Sequence, residues 1–206
     1  TRYVRREKRI QPGDVLRRFA RSLSDAARNS VDFTKLADPH SHCQVYNEDV
    51  LTGPDIGQVD LVVCSPPYPN AYSYHLYHMT RMLWLGMDQP KFKQEEIGSH
   101  RKYSRKGPKG ATVETFRGEM SLIFSWLRRH LRPHRYACFV VGHSTLKGQV
   151  VNNAELISDA ASTQGFREVC RFERRMQDTK KAFNPAIGKI KHEQIVVLSN
   201  ALGAAA

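Results

Sequence analysis

The chain has 206 residues, 40% of them apolar and 25% charged, with a net charge of +12 and a pI near 9.8. That balance fits one globular domain over residues 1–206 with a substantial core, and excludes a disordered segment or a collagen-like repeat. No stretch has the apolar length of a membrane span, no signal-peptide pattern is visible, and the excess of cations makes nucleic acid the leading partner class.

Arg2, Arg5, Arg6, Lys8 and Arg9 form a basic arm within residues 1–11. From Pro12 to Asn29, Val15, Leu16, Phe19, Leu23 and Ala26 recur at helical spacing with arginines on the other face, which predicts an amphipathic helix. His40-Ser41-His42-Cys43 reads as a polar turn rather than a metal site. Val59 to Cys64 is a short apolar run of the kind found in buried parallel strands, and Ser65-Pro66-Pro67-Tyr68 follows it directly.

Beyond that tetrapeptide, Tyr72, Leu76, Met79 and Leu83 predict a helix ended by Gly86. Its tyrosines, Tyr72, Tyr74 and Tyr77, either line a pocket with Tyr68 or pack in the core. His75 and His78 lie three apart, but no further ligands accompany them and no metal is expected. Arg101, Lys102, Arg105, Lys106 and Lys109 fall between Ser99 and Gly110 without an acidic residue, with Tyr103 and Pro108 among them. This basic loop, 98–110, is either a nucleic-acid contact or a solvated surface.

Thr112 to Leu131 carries Phe116, Met120, Ile123, Phe124, Leu127 and Leu131 on one stripe, a helix expected to cover a sheet face until Pro133 breaks it. Tyr136 to Val141 predicts a buried strand, and the turn from Gly142 to Gly148 opens at its carboxyl end, which places His143 on the same rim as Ser65. His143 there either meets the substrate or shapes the rim. Asn152 to Thr163 predicts a helix stopped by Gly165. Arg171, Arg174, Arg175, Lys180 and Lys181 are a third basic cluster, diluted by Glu173 and Asp178, and Phe183 to Gly188 is a loop that could face the substrate. Cys43, Cys64, Cys138 and Cys170 lie far apart and read as buried free thiols of a reducing cytoplasm, not as disulfides or zinc ligands.

Pro-Pro-Tyr after a strand can be an ordinary turn. Ser65-Pro66-Pro67-Tyr68 in this context also resembles the catalytic motif of the amino DNA methyltransferases, and serine in first position is similar to the beta-class enzymes that make N4-methylcytosine. The resemblance implies a Rossmann-like α/β fold, a three-layer sandwich, with S-adenosylmethionine as methyl donor and double-stranded DNA as substrate. It places a strand at Gln44 to Val50 whose acidic end, Asp49 with Glu48 and Asn47, holds the cofactor's adenine. Gly165 to Phe172 and His192 to Ser199 then resemble the last two strands of the sheet.

An exocyclic amine is a poor nucleophile because its lone pair is delocalised into the base. In the role the resemblance implies, the Ser65 hydroxyl and the Pro66 carbonyl accept the amine's hydrogens. Pro66 and Pro67 preset the turn, and Tyr68 offers a ring face to a base taken out of its stack. The alternatives are N6-adenine specificity, an amine in RNA or an amide in protein, or a non-catalytic subunit that binds DNA for a partner.

The family's glycine-rich cofactor loop, Phe-x-Gly-x-Gly, has no counterpart here. Gly53-Pro54-Asp55-Ile56-Gly57 and Gly107-Pro108-Lys109-Gly110 have the wrong spacing and do not link a strand to a helix. An initial Thr1 and a tail of Ala201-Leu202-Gly203-Ala204-Ala205-Ala206, which reads as an appended segment, agree with that. The expectation is an incomplete sheet whose cofactor loop comes from a second chain or a missing segment.

Overall fold

The computed structural model describes residues 11–70, 72–105, 107, 110–175 and 192–201. The basic arm at Arg2, Arg5, Arg6, Lys8 and Arg9, the loop cations Lys106 and Lys109 with Pro108, the cluster members Asp178, Lys180 and Lys181, the loop Phe183 to Gly188 and the tail from Leu202 lie outside the described residues. The chain expected as one domain divides into two units, residues 1–47 and 48–206.

Among its described residues the first unit contains one helix, α1 (Asp14–Leu36). It runs past the expected end at Asn29 because nothing in the sequence stops it before Pro39. Ion pairs three residues apart, Asp14 with Arg17 at 2.7 Å and Asp32 with Lys35 at 2.8 Å, support its polar face.

The second unit is α/β, with a partly parallel sheet. In chain order it contains β1 (Val59–Cys64), α2 (Tyr74–Tyr77), α3 (Met79–Trp84), α4 (Gln89–Glu95), α5 (His100–Tyr103), α6 (Val113–His130) and β2 (Leu131–Gly142). It continues with β3 (Ser144–Leu146), β4 (Gln149–Val151), α7 (Asn153–Ser162), β5 (Phe166–Arg175) and β6 (His192–Asn200). The main sheet has the order β1-β2-β6-β5, in which β1 and β2 are parallel and β6 is antiparallel to both its neighbours.

The α6 stripe buries Phe116, Met120, Phe124 and Leu127, and a capping box between Thr112 and Thr115 starts the helix. With Ala154, Ile157, Ala160 and Ala161 of α7 it closes over Ala137, Phe139, Val141, Val196 and Leu198 of the sheet. The opposite sheet face is bare among the described residues: Leu61 is 58% exposed, Val63 71%, Tyr136 45% and Phe172 56%. Among the described residues of this unit one helical layer packs on the sheet, where a three-layer sandwich was expected, and β1 pairs on one side alone.

Pro133 ends α6 as anticipated, yet it lies inside β2. Asp60 faces the four residues from Arg132 to Arg135 across a register shift. Arg132 at 2.6 Å and Arg135 at 3.1 Å both pair with its carboxylate and hold the irregularity. The helix expected from Tyr72 to Leu83 breaks into α2 and α3 at His78, and only His75 and Met82 of it are buried. The turn expected from Gly142 to Gly148 is the hairpin β3-β4, closed by Lys147 and Gly148 at φ 50° and 82°. All four cysteines are free: Cys64, Cys138 and Cys170 sit in strands and are only partly buried, and Cys43 is exposed.

Candidate active site

Two successive prolines without N–H groups cannot extend the β1 ladder, so the chain leaves the sheet after Cys64. Cys64 lies beside Phe139 in a parallel register, which puts the carboxyl ends of β1 and β2 on one rim. In open α/β sheets that rim is where ligands collect. Ser65 is exposed there, Pro66 is buried, and Pro67 and Tyr68 are half-buried. Among the described residues no backbone donor reaches the Pro66 carbonyl.

Tyr68 packs against the core and its hydroxyl donates to the Val140 carbonyl at 3.4 Å. Burial raises its phenol pKa, while hydrogen bonds from the Ser65 hydroxyl and the Gly142 N–H act the other way. His143 is exposed on the same rim. Beneath it, Asn153 donates to the Gly142 carbonyl at 2.6 Å and accepts from the Ser144 hydroxyl at 3.0 Å, fixing the turn on which His143 stands.

Contacts from outside the motif set its shape, and no sequence pattern points to them. Asn70, at φ 64°, donates to the Thr145 carbonyl at 2.6 Å and so ties the loop to β3. Gly98, at φ 73°, lies so close to the motif that a Cβ there would stand 2.5 Å from the Tyr68 carbonyl oxygen. Glu96 anchors this glycine's segment: one carboxylate oxygen accepts the Tyr74 N–H and the other lies 2.6 Å from His75 Nδ1, all inside the protein. Ser73 and Ser99 hydroxyls meet at 3.2 Å, the Arg101 N–H donates to Ser73 at 3.2 Å, and the His100 N–H donates to the Tyr72 carbonyl at 3.1 Å. His75 is thus a structural partner of Glu96, and no group of three metal-ligating side chains occurs among the described residues.

The tyrosines after the motif are not core. Tyr72 is 61% exposed and Tyr77 66%, and with half-exposed Tyr74 and His78 they form a surface cluster. The Tyr72 and Tyr74 rings are 5.9 Å apart, and the Tyr74 ring stacks on His78 at 6.1 Å.

Arg101 and Lys102 lie on α5 and Arg105 just after it. With Lys93 of α4, which sequence reasoning missed, and with Ser99 and Thr115, they line a cavity of about 470 Å³. Lys102 is committed within the fold, 3.8 Å from Glu119. Burial raises the Glu119 carboxyl above its ordinary pKa and the lysine offsets part of that. Lys93, Arg101 and Arg105 make no ion pair among the described residues. In the third basic cluster, Arg171 is paired with Glu168 at 2.7 Å and Arg174 with Glu193.

Asn47, Glu48 and Asp49 are not where a cofactor seat requires them. The expected strand from Gln44 to Val50 does not form, since no described strand pairs with it and residues 44–49 are all exposed. The Asp49 carboxylate accepts the Leu51 N–H at 2.9 Å and its carbonyl accepts those of Thr52 and Gly53, so this residue caps its own turn. These three residues do not by themselves fit an adenine or ribose. Gly53 is instead a packing glycine, backed against the Trp126 ring, whose indole N–H donates to the Pro54 carbonyl at 2.9 Å.

No protein-family model matches the chain, and no curated protein does. Among solved structures it is similar to those of a candidate DNA modification methylase from Thermus thermophilus. One is 21% identical over 76% of this chain and 52% of that one, with a TM-score of 0.43. A selenomethionine form is 18% identical over 75% and 50%, with a TM-score of 0.43. A complex with S-adenosyl-L-methionine is 20% identical over 75% and 50%, with a TM-score of 0.42. The chain spans about half the length of these similar structures.

Proposed function

We propose that this chain carries the acceptor half of a DNA methyltransferase, which moves a methyl group from S-adenosylmethionine to an exocyclic amine of a DNA base, N4 of cytosine in preference to N6 of adenine. The observation that carries the reading is the placement of Ser65-Pro66-Pro67-Tyr68 at the carboxyl end of a parallel strand, with the serine exposed and no backbone donor on the first prolyl carbonyl among the described residues. Those are the two acceptors needed to draw an amino nitrogen out of conjugation. The cytosine preference rests on Ser65 alone.

In this role the Ser65 hydroxyl and the Pro66 carbonyl orient the amine, and the prolines hold both at fixed spacing without side-chain entropy to lose. His143 borders the base at the rim, and Arg101 and Arg105 hold the DNA backbone. The donor, when bound, supplies an electrophilic methyl group. Its purine and ribose have no fitted seat among residues 47–49, so a second chain or a further segment provides the glycine-rich loop. The same lack of a seat favours a second reading, in which the chain recognises DNA for a catalytic partner.

The test is mass spectrometry of nucleosides from unmethylated DNA incubated with the chain and isotopically labelled S-adenosylmethionine. Labelled N4-methylcytosine is the expected product once the cofactor half is supplied. Saturable DNA binding with no label in any base, even with that half present, would replace the enzyme reading with the binding one.

A further inference from the structure

A single strand of nucleic acid presents two repeating chemistries, flat bases and anionic phosphates, and a surface that grips it needs aromatic faces beside unpaired cations. Both occur next to the Ser65 motif and share one junction. Tyr72, Tyr74, Tyr77 and His78 expose their rings as a continuous cluster, with neighbouring centroids 4.8 to 6.5 Å apart. The cavity of about 470 Å³ supplies Lys93, Arg101 and Arg105, and no acidic residue lines it among the described residues. The Ser73–Ser99 hydroxyl contact and the Arg101 N–H bond to the Ser73 hydroxyl join the segments that carry the two patches.

Among the described residues no core packing buries the Tyr72 and Tyr77 rings and no ion pair neutralises Lys93, Arg101 or Arg105. Exposed tyrosines give up the burial that would stabilise them in the core, and three cations around one cavity repel each other without an anion. A duplex hides its base faces, so it could use the cations but not the rings.

We infer that the Tyr72–His78 ring cluster and the Lys93–Arg101–Arg105 cavity form one track for an unpaired DNA strand, and that the chain acts on single-stranded DNA in preference to duplex. The inference rests on the reading of Ser65 to Tyr68 as the acceptor site. The rings stack the bases flanking the target, and the cavity receives their phosphodiesters. The cost of extracting a base from its stack is then absent from the reaction.

Fluorescence anisotropy with a labelled single-stranded oligonucleotide, competed by the same sequence as a duplex, tests this on the full chain. Tyr72→Ala and Tyr77→Ala should each weaken single-strand binding by about 5- to 100-fold, whereas Tyr72→Phe, which keeps the ring, should restore it. Lys93→Ala and Arg101→Ala should each lower the slope of log affinity against log salt by roughly 0.7. Circular dichroism of each variant separates lost binding from lost folding; the tyrosines are exposed, and a folded Tyr72→Ala variant is expected. Equal competition by duplex, or folded alanine variants that bind as well as wild type, would overturn the inference. Labelled-methyl transfer measured on the same strands separates the two readings. Methylation with tyrosine-independent binding leaves the enzyme reading standing alone, and tyrosine-dependent binding without methylation leaves the track standing alone.

Discussion

Ser65 offers the chemistry no more than an exposed hydroxyl beside the Tyr68 phenol, and its value lies in where β1 ends. Ser65→Ala removes one of the two proposed amine acceptors and leaves the prolyl turn intact. It should abolish methyl transfer while changing DNA affinity by less than about two-fold, as read by product assay and anisotropy on one preparation. Gly98 is a sharper probe of shape. Alanine there must adopt a left-handed conformation costing about 1–2 kcal/mol and push its Cβ toward the Tyr68 carbonyl, so Gly98→Ala should lower the denaturation midpoint and impair the motif together. Glu96→Ala leaves His75 and the Tyr74 N–H buried without a partner, a loss of about 1–3 kcal/mol to be measured by urea unfolding. Glu96→Gln, which keeps the acceptor oxygen, should lose less.

Glu119 adds a pH dependence. Its carboxyl is held above the ordinary glutamate value by burial, so the folded chain binds that proton more tightly than the unfolded chain. Stability is therefore fullest below the ordinary value and falls as pH rises toward the elevated one. Glu119→Gln should flatten the unfolding curve in that window, and an unchanged slope would remove the residue from the account.

At the scale of elements, the sequence announced what periodicity and punctuation encode. The stripe of α6, the apolar runs of β1 and β2, and the stop at Gly165 could all be read because each is local, whereas β5 and β6 were expected from the resemblance. The breaking of the helix after Tyr72 was not readable, since the contact that organises it, His75 to Glu96, spans 21 residues. Leu76, Met79 and Leu83 have helical spacing but no layer to bury them, and spacing alone does not report whether a partner exists. The Gln44 to Val50 strand, which the resemblance implied, does not form because no described strand lies beside it to pair with. Of the candidate site, the motif and three of the cavity's cations, Arg101, Lys102 and Arg105, were visible in the sequence. Lys93, Gly98 and the exposed state of the tyrosines depend on tertiary placement.

For the whole molecule, the apolar residues exposed on one sheet face among the described residues and the +12 charge pull in opposite directions. Contiguous exposed apolar surface promotes association, and like charge opposes it. Raising the salt screens only the second, so sedimentation should show self-association increasing with ionic strength. Val63→Lys on the bare face should suppress it while shifting stability by no more than about 0.5 kcal/mol.

β2 and β6 are the inner strands, joined to each other along seven register pairs, whereas among the described residues β1 and β5 are each bonded on one side alone. Local opening is cheapest where a strand has a single neighbour. In hydrogen–deuterium exchange the amides of Phe139 to Val141 and Val196 to Leu198 should be the last to label, with those of β1 well ahead of them. The Ser65 to Tyr68 tetrapeptide thus hangs from one of the sheet's two edge strands. Any molecule that seats on it will register first as a slowing of β1, before the centre of the sheet changes at all.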